Sequence, residues 1–421
     1  MGCRYALGEL CEFRRGASIP RARMLDKGGY LYIHYGDLYK GFSYRIDVKH
    51  PQKPISHIRS DEKIKDSQWL EDQDIVYVLT SETVDDLGHA FLFNNPEHMP
   101  AVSGTETTIV HVNRPNVVIP AYLNYLMHAP LFVRMLRQYV RGMKVFRVHP
   151  DDVARIEVDV PTLDKQRKIV SMFDAIQAKL CINQHTNDYL ERSLLAKYDH
   201  LFGSATDYDG TIADIGDVVG GATPSKKRSE YYCIDGIGWI TPRDLSNTTD
   251  KFIAHGADDI TQIGFDSCSV KMLPAGTVLF SSRAPIGYIA IATDDVTTNQ
   301  GFKSIIPKPE VGTAFVYCFL MRNKDRIADA GFGTTFPEVS GKTMARIELA
   351  LPDMKLCAEF TEWARLLLEQ QRCLEEESRK LGELRDALIP KLMSGEIDVS
   401  EIELPTPLNN HLAIHSSIKS P

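Results

Sequence analysis

The chain has 421 residues, 43% hydrophobic and 25% charged, a balance that supports two or three buried cores and excludes disordered, collagenous and membrane-embedded classes. Its 48 basic and 56 acidic residues give a net charge of -8, which taken globally argues against a nucleic-acid ligand, because affinity for phosphate comes from Lys and Arg. No C-x-x-C pair occurs among the eight cysteines, the first ten residues lack a signal-peptide layout, and no apolar run approaches the roughly 18–20 residues of a membrane span. A cytoplasmic protein with reduced thiols is expected.

In chain order, residues 1–162 are rich in β-branched and aromatic residues between Gly and Pro turns. Tyr30-Leu31-Tyr32-Ile33 and Ile75-Val76-Tyr77-Val78-Leu79 read as short strands. From Glu106 to Asp151 no acidic residue intervenes, while Arg114, Arg134, Arg137, Arg141, Lys144 and Arg147 all fall in that window. The spacing of Arg134, Arg137, Arg141 and Lys144 predicts one face of a helix. Such a strip suits phosphate tracking, and a solvated helix face accounts for it equally well. An acidic protein can still offer a basic cleft, since exposed charges more than about 8 Å apart are screened.

After Pro161 the pattern becomes helical. Ile169, Phe173, Ile176, Leu180, Asn183, Asn187, Leu190 and Leu194 alternate steps of four and three, the seam of a coiled coil. A helix over 165–202 would be about 57 Å long. Asn183 and Asn187 in that seam fix register, lie at its edge against water, or contact a partner subunit. Residues 204–352 return to strand signals at Thr277-Val278-Leu279-Phe280 and Tyr288-Ile289-Ala290-Ile291. After Pro352 a second seam places Phe360, Leu367, Leu374, Leu381 and Leu388 seven apart, with Pro390 and Gly395 expected to end the helix. The chain beyond Leu404 reads as a loose tail.

The halves repeat. Ala154-Arg155-Ile156-Glu157-Val158-Asp159-Val160-Pro161 aligns with Ala345-Arg346-Ile347-Glu348-Leu349-Ala350-Leu351-Pro352 at an offset of 191, which also carries Gly142 onto Gly333 and Ile169 onto Phe360. Nearer the start, Leu7, Gly16 and Ala17 land on Ile212, Gly221 and Ala222 at 205, and Asp37-Leu38 on Asp244-Leu245 at 207. An ordered series of this kind marks an internal duplication. The division expected is 1–162, first module; 163–203, central helix; 204–352, second module; 353–397, distal helix; 398–421, tail. Two helices of this kind, each following a module, bury their stripes by pairing antiparallel.

Catalytic motifs are missing. There is no G-x-G-x-x-G and no H-E-x-x-H, and Gly341-Lys342-Thr343 is not a phosphate loop because Phe336 stands where its first Gly belongs. Asn95-Pro96-Glu97-His98 is not the Asn-Pro-Pro-aromatic motif of amino-methyltransferases, and His34, His89, His98 and His149 read as surface or packing residues. No metal site is expected.

Several segments of the second module carry a family resemblance. They are Gly221-Ala222-Thr223-Pro224-Ser225, Gly238-Trp239-Ile240-Thr241-Pro242-Arg243-Asp244-Leu245, Gly276-Thr277-Val278-Leu279-Phe280-Ser281-Ser282-Arg283-Ala284 and Thr298-Asn299-Gln300-Gly301. This series resembles the target-recognition domain of type I restriction–modification specificity subunits. Pro161-x-Leu163-x-x-Gln166-x-x-Ile169 resembles the opening of that family's spacer helix, and Leu384-Arg385-Asp386-x-Leu388-Ile389-Pro390-Lys391-Leu392-Met393-Ser394-Gly395-Glu396-Ile397 its distal ending. The first module departs from the pattern: Gly16-Ala17-Ser18-Ile19-Pro20 replaces the tighter form and no Trp sits at the Trp239 equivalent. In the distal helix Cys357 stands where Gln166 sits in the first copy.

The resemblance implies an α+β chain, with two pseudo-repeated α/β target-recognition domains separated by two long antiparallel coiled-coil helices. It implies a non-catalytic DNA specificity subunit whose modules each read half of an asymmetric bipartite target, with the helices as ruler and as dock for two methyltransferase subunits. Two translocase–nuclease subunits complete such a complex. S-adenosylmethionine, ATP and magnesium belong to the partners, and no cofactor is expected in this chain. The candidate DNA-binding residues are Arg134, Arg137, Arg141, Lys144 and Arg147 around the Gly142 turn, and Thr334 and Thr335 at the equivalent turn, with Lys342 nearby and Arg283 and Lys303 after predicted strands. A coiled-coil scaffold with two β-rich ligand-binding modules, or an enzyme with its own recognition domain, are the competing readings.

Overall fold

Each strand-rich segment is closed by its own ends. In the computed structural model, which describes residues 2–39, 42–84, 86–203, 208–283, 285–331 and 337–400, Cys3–Ala6 pairs antiparallel with Glu157–Val160, Ala6 opposite Glu157. Gly210–Thr211 pairs in the same way with Glu348–Leu349, Thr211 opposite Glu348. These pairs reproduce the 205 and 191 offsets, so the duplication is one of structure as well as sequence.

Inside each module a five-stranded sheet carries the same strand order. In the first it runs Cys11–Arg15, Thr107–Val112, Ile75–Val78, Ala90–Asn94, Arg45–Asp47; in the second Gly216–Gly220, Lys303–Pro307, Val278–Ser282, Ile286–Ala292, Phe252–Ile253. All neighbours are antiparallel except the last, where the edge strand runs parallel. Beside it Tyr30–Ile33 pairs in parallel with Ala101–Ser103, and Gly238–Ile240 in parallel with Val296–Thr298. Every residue of Ile75–Val78 and Val278–Ser282 is buried, so both faces of these central strands are covered, with Ser281 and Ser282 buried at the end of the second.

The two helices cover Leu163–Phe202 and Met354–Met393, 40 residues each. Pro390 lies inside the second helix, not at its end. A proline there forfeits a backbone hydrogen bond, but Ile389 and Leu392 on either side are buried in the first module's core, which holds the turn in place. The stop comes at Gly395, whose φ of +76° suits the left-handed residue after a helix.

The chain divides into two compact units, Met1–Ala178 with Leu381–Pro421, and Lys179–Lys380, so the cut falls within both helices. In the first unit Ile169 and Phe173 share a core with Tyr122, Phe132, Ile389 and Leu392, and Lys165 reaches Asp398 at 3.0 Å. In the second, Leu194 and Tyr198 pack with Phe315, Cys357 and Phe360. There Asn183 donates to Glu377 at 2.9 Å and Asn187 to Glu375 at 3.1 Å, so residue numbers ascend on one helix as they descend on the other, an antiparallel pair. Asn183 is fully inside the seam, 1% exposed, while Asn187 is half-buried. Of the expected seam, Ile169, Phe173, Leu194, Phe360 and Leu374 are buried; Ile176, Leu180, Leu190, Leu367, Leu381 and Leu388 are half-buried.

Candidate nucleic-acid interface

In the first unit, the loop from Arg15 to Ser18, the end of the strand Ile75–Val78, the turn at Thr105–Thr108 and the segment Arg141–Pro150 enclose a cleft of about 560 Å³. Its polar wall carries Arg15, Arg141, Arg147 and His149 against Glu106. Arg147 is fixed by strand pairing with Thr80 and lies 3.6 Å from Glu106. The Arg15 guanidinium donates to Nε2 of His149 at 3.1 Å. Arg141 is held by Asp152 at 3.1 Å yet stays mostly exposed. Glu106 and Asp152 offset two of the three guanidinium groups, which leaves Arg15 as the surplus cation of the cleft.

The expected basic helix face does not form. The helix Pro130–Arg137 ends at the second arginine, and residues 141–147 make a hairpin in which Arg141 and Arg147 exchange backbone hydrogen bonds at 2.9 and 2.8 Å. Gly142 causes this: its φ is +112°, and a Cβ there would stand 2.1 Å from the carbonyl oxygen of Val145. So Arg134 and Arg137 lie on the helix outside the cleft lining, Lys144 is exposed on the hairpin, and Arg141 and Arg147 turn into the cleft.

The second unit builds the same corner from different residues. Val339 N bonds to Ser282 O at 2.9 Å as Val148 N bonds to Leu79 O at 3.0 Å, and Glu338 bridges Arg283 as Arg147 bridges Thr80. Lys303, opposite Gly220, stands where Thr108 stands opposite Arg15. It opens its strand instead of following one, and its Nζ reaches Glu338 at 3.4 Å, Gln300 O at 3.4 Å and Ser282 Oγ at 3.5 Å. Lys342 is exposed on the short helix Gly341–Ala345, the counterpart of Pro150–Ala154. Thr334 and Thr335 lie outside the described residues. The loop glycines are held by close approach: a Cβ on Gly16 would meet Gly104 O at 2.1 Å, and one on Gly221 would meet Thr298 O at 2.1 Å.

Sequence reasoning missed Arg15 and His149 in the first cleft, and the exposed run Lys226-Lys227-Arg228 after Pro224 in the second module. A signal existed for two of these. Arg15 immediately precedes the repeat-aligned Gly16, and the Lys-Lys-Arg run follows the aligned glycine loop directly. Among the described residues, no group of three or more His, Cys, Asp or Glu could hold a metal ion, and no helix is long and apolar enough to cross a membrane. The eight cysteines are free.

A sequence profile for the type I restriction modification DNA specificity domain matches residues 4–192 and again residues 208–356. The chain belongs to that family. The MjaIX specificity subunit of a type I restriction enzyme from Methanocaldococcus jannaschii is 46% identical over 144 residues, 34% of this chain and 33% of that protein. The HindI specificity subunit from Haemophilus influenzae is 30% identical over 189 residues, 44% of this chain and 40% of that protein. The chain therefore spans between 33% and 40% of the length of these curated relatives. The crystal structure of a type I restriction–modification S subunit from M. genitalium superposes with a TM-score of 0.56 at 14% identity, covering 93% of this chain and 95% of that one. At that identity the likeness is one of fold. The family's two matches fall on the two modules, so the duplicated corner belongs to its specificity domains.

Proposed function

We propose that this chain is the DNA sequence-specificity subunit of a type I restriction–modification complex. Each module presents its cleft to one half of an asymmetric, bipartite target, and the helix pair sets the gap between the halves and docks the methyltransferase subunits. The chain does no chemistry of its own. Two methyltransferase subunits bring S-adenosylmethionine, and two translocase–nuclease subunits bring ATP and magnesium, all in the cytoplasm.

The observation that carries this reading is one corner built twice with different side chains. The backbone registers of the two corners coincide, while the first offers Arg15, Thr108 and Arg147 where the second offers Gly220, Lys303 and Glu338. A duplicated scaffold with divergent polar linings suits two unlike half-sequences, because backbone contacts position the protein and side chains at base edges specify sequence. The net charge of -8 is no obstacle, since the first cleft concentrates cationic groups.

Purification tests the assignment. Co-expressed with a type I methyltransferase subunit, the chain is expected to elute as one complex that binds duplex DNA with a steep dependence on salt. A chain that elutes alone and ignores DNA at low salt contradicts it.

A further inference from the structure

Arg147 and Glu338 hold one structural position with opposite charge. Each stands three residues before a short helix, Pro150–Ala154 or Gly341–Ala345, and each pairs with a residue just past its module's central sheet strand, Thr80 after Ile75–Val78 and Arg283 after Val278–Ser282. Each side chain meets one opposite charge across the corner, Arg147 with Glu106 at 3.6 Å and Glu338 with Lys303 at 3.4 Å. Yet Arg147 remains 62% exposed and Glu338 43%. The Arg147–Glu106 pair is open at both ends, so it contributes little to folding and exchanges readily for other partners, whereas Glu338 is the accessible end of a pair whose Lys303 is only 15% exposed.

We infer that Arg147 and Glu338 are specificity-determining residues, each reading one base edge of its own half-target with the opposite hydrogen-bonding polarity. This rests on the proposed DNA-reading role of the clefts. A guanidinium only donates, so Arg147 matches the O6 and N7 acceptors of guanine. An ionised carboxylate only accepts, so Glu338 matches the exocyclic amino group of cytosine or adenine. Arg147 alone is equally suited to a phosphate. Glu338 is not, because a carboxylate beside a phosphate is repelled. An anion at a DNA-facing corner gains from the duplex only through a base amino group, and Lys303 behind it neutralises its charge as DNA approaches.

The test is the methylated motif. The whole complex, carrying Arg147→Ala, Glu338→Ala or Glu338→Gln, is expressed in cells lacking other adenine methyltransferases, and methylated adenines are mapped across the genome. Glu338→Ala is expected to relax one position in one half-sequence, with roughly ten- to hundred-fold less discrimination there, and to leave the other half unchanged. Arg147→Ala relaxes one position in the opposite half. Glu338→Gln, nearly isosteric and able to bond adenine through two contacts, shifts the preference at that same position towards adenine. Unchanged motifs with only a lower level of methylation overturn the inference, since that outcome assigns Arg147 to phosphate contact or folding and Glu338 to folding. Failure of the parent reading is distinguishable, because the unaltered complex then gives no bipartite motif at all.

Discussion

Tyr32 and Trp239 occupy one site in the two modules and make one contact. The Tyr32 hydroxyl donates to the carbonyl of Ala17 at 3.0 Å, and the Trp239 indole N–H donates to the carbonyl of Ala222 at 3.1 Å. Their strand partners, Val102 and Thr297, correspond as well. An aromatic ring with a donor at its far edge is what the glycine loop requires, and either residue supplies it. The Tyr32 hydroxyl also accepts from the backbone N–H groups of Thr105 at 3.0 Å and Ile19 at 3.3 Å. Tyr32→Phe therefore strands two backbone donors and is expected to cost about 1–3 kcal/mol. Urea unfolding followed by circular dichroism measures this, and an unchanged midpoint would mean the hydroxyl holds nothing.

A buried lysine fastens the second module to the two helices. Lys251 is 8% exposed; its Nζ bonds to Glu191 of the central helix and, at 2.6 Å, to Gln371 of the distal helix. The Tyr317 hydroxyl donates to the other oxygen of Glu191 at 2.9 Å, and the lysine sits over the Tyr317 ring at 4.6 Å. Removing one partner from such a cluster leaves a carboxylate inside without its counter-charge. Lys251→Met is expected to destabilise by about 3–5 kcal/mol, and adding Glu191→Gln to recover a good part. Thermal unfolding of the single and double variants is the measurement, and strict additivity would argue that the two groups do not interact.

Acid weakens the first module through histidine. Burial pushes His128 down to about 4, even though its ring donates to the carbonyl of Ala90 at 2.7 Å, and burial lowers His34 and His89 as well. Unfolding frees these rings to take up protons near pH 6.5, so the unfolded state binds more protons and stability drops as the pH is lowered. The contribution is complete above about pH 6.5 and is lost as the pH drops through the native value near 4. Urea midpoints at pH 7.5 and 5.0 should differ, and His128→Gln should reduce the difference. Equal slopes for both proteins would remove His128 as a source.

The hairpin arginines and lysine should register in the salt dependence of DNA binding. Lys144 is exposed on the hairpin, and Arg141 remains 77% exposed beside Asp152. For each residue that touches a phosphate, substitution by Ala lowers the slope of log K against log salt by about 0.9. Fluorescence anisotropy between 50 and 200 mM salt resolves that change, and an unchanged slope takes the residue out of the interface.

The duplication was legible because the segments that align are those that close each module on itself. Ala154-Arg155-Ile156-Glu157 and Ala345-Arg346-Ile347-Glu348 run from a short helix into the closing strand, where small, apolar and extended residues are all required. The helices were legible for a similar reason, as burial on one stripe imposes a period. The clefts were not. Arg134 to Lys144 carries helical spacing, but Gly142 with its positive φ ends that pattern in a hairpin, and periodicity is blind to one backbone angle. Arg15, Thr80, Glu106 and Arg147 come together only through strand pairing between distant segments, which no local pattern encodes. Pro390 misled for the opposite reason: its local preference to stop a helix was overridden by the buried Ile389 and Leu392.

The most direct measurement is a genome-wide map of methylated adenines in cells carrying this chain with its methyltransferase partner, repeated after one helical turn is inserted into both long helices. The account predicts two unlike short half-sequences parted by a stretch of unspecified bases, with the stretch longer in the variant and both halves unchanged. A single continuous motif, or half-sequences altered by the insertion, would contradict it.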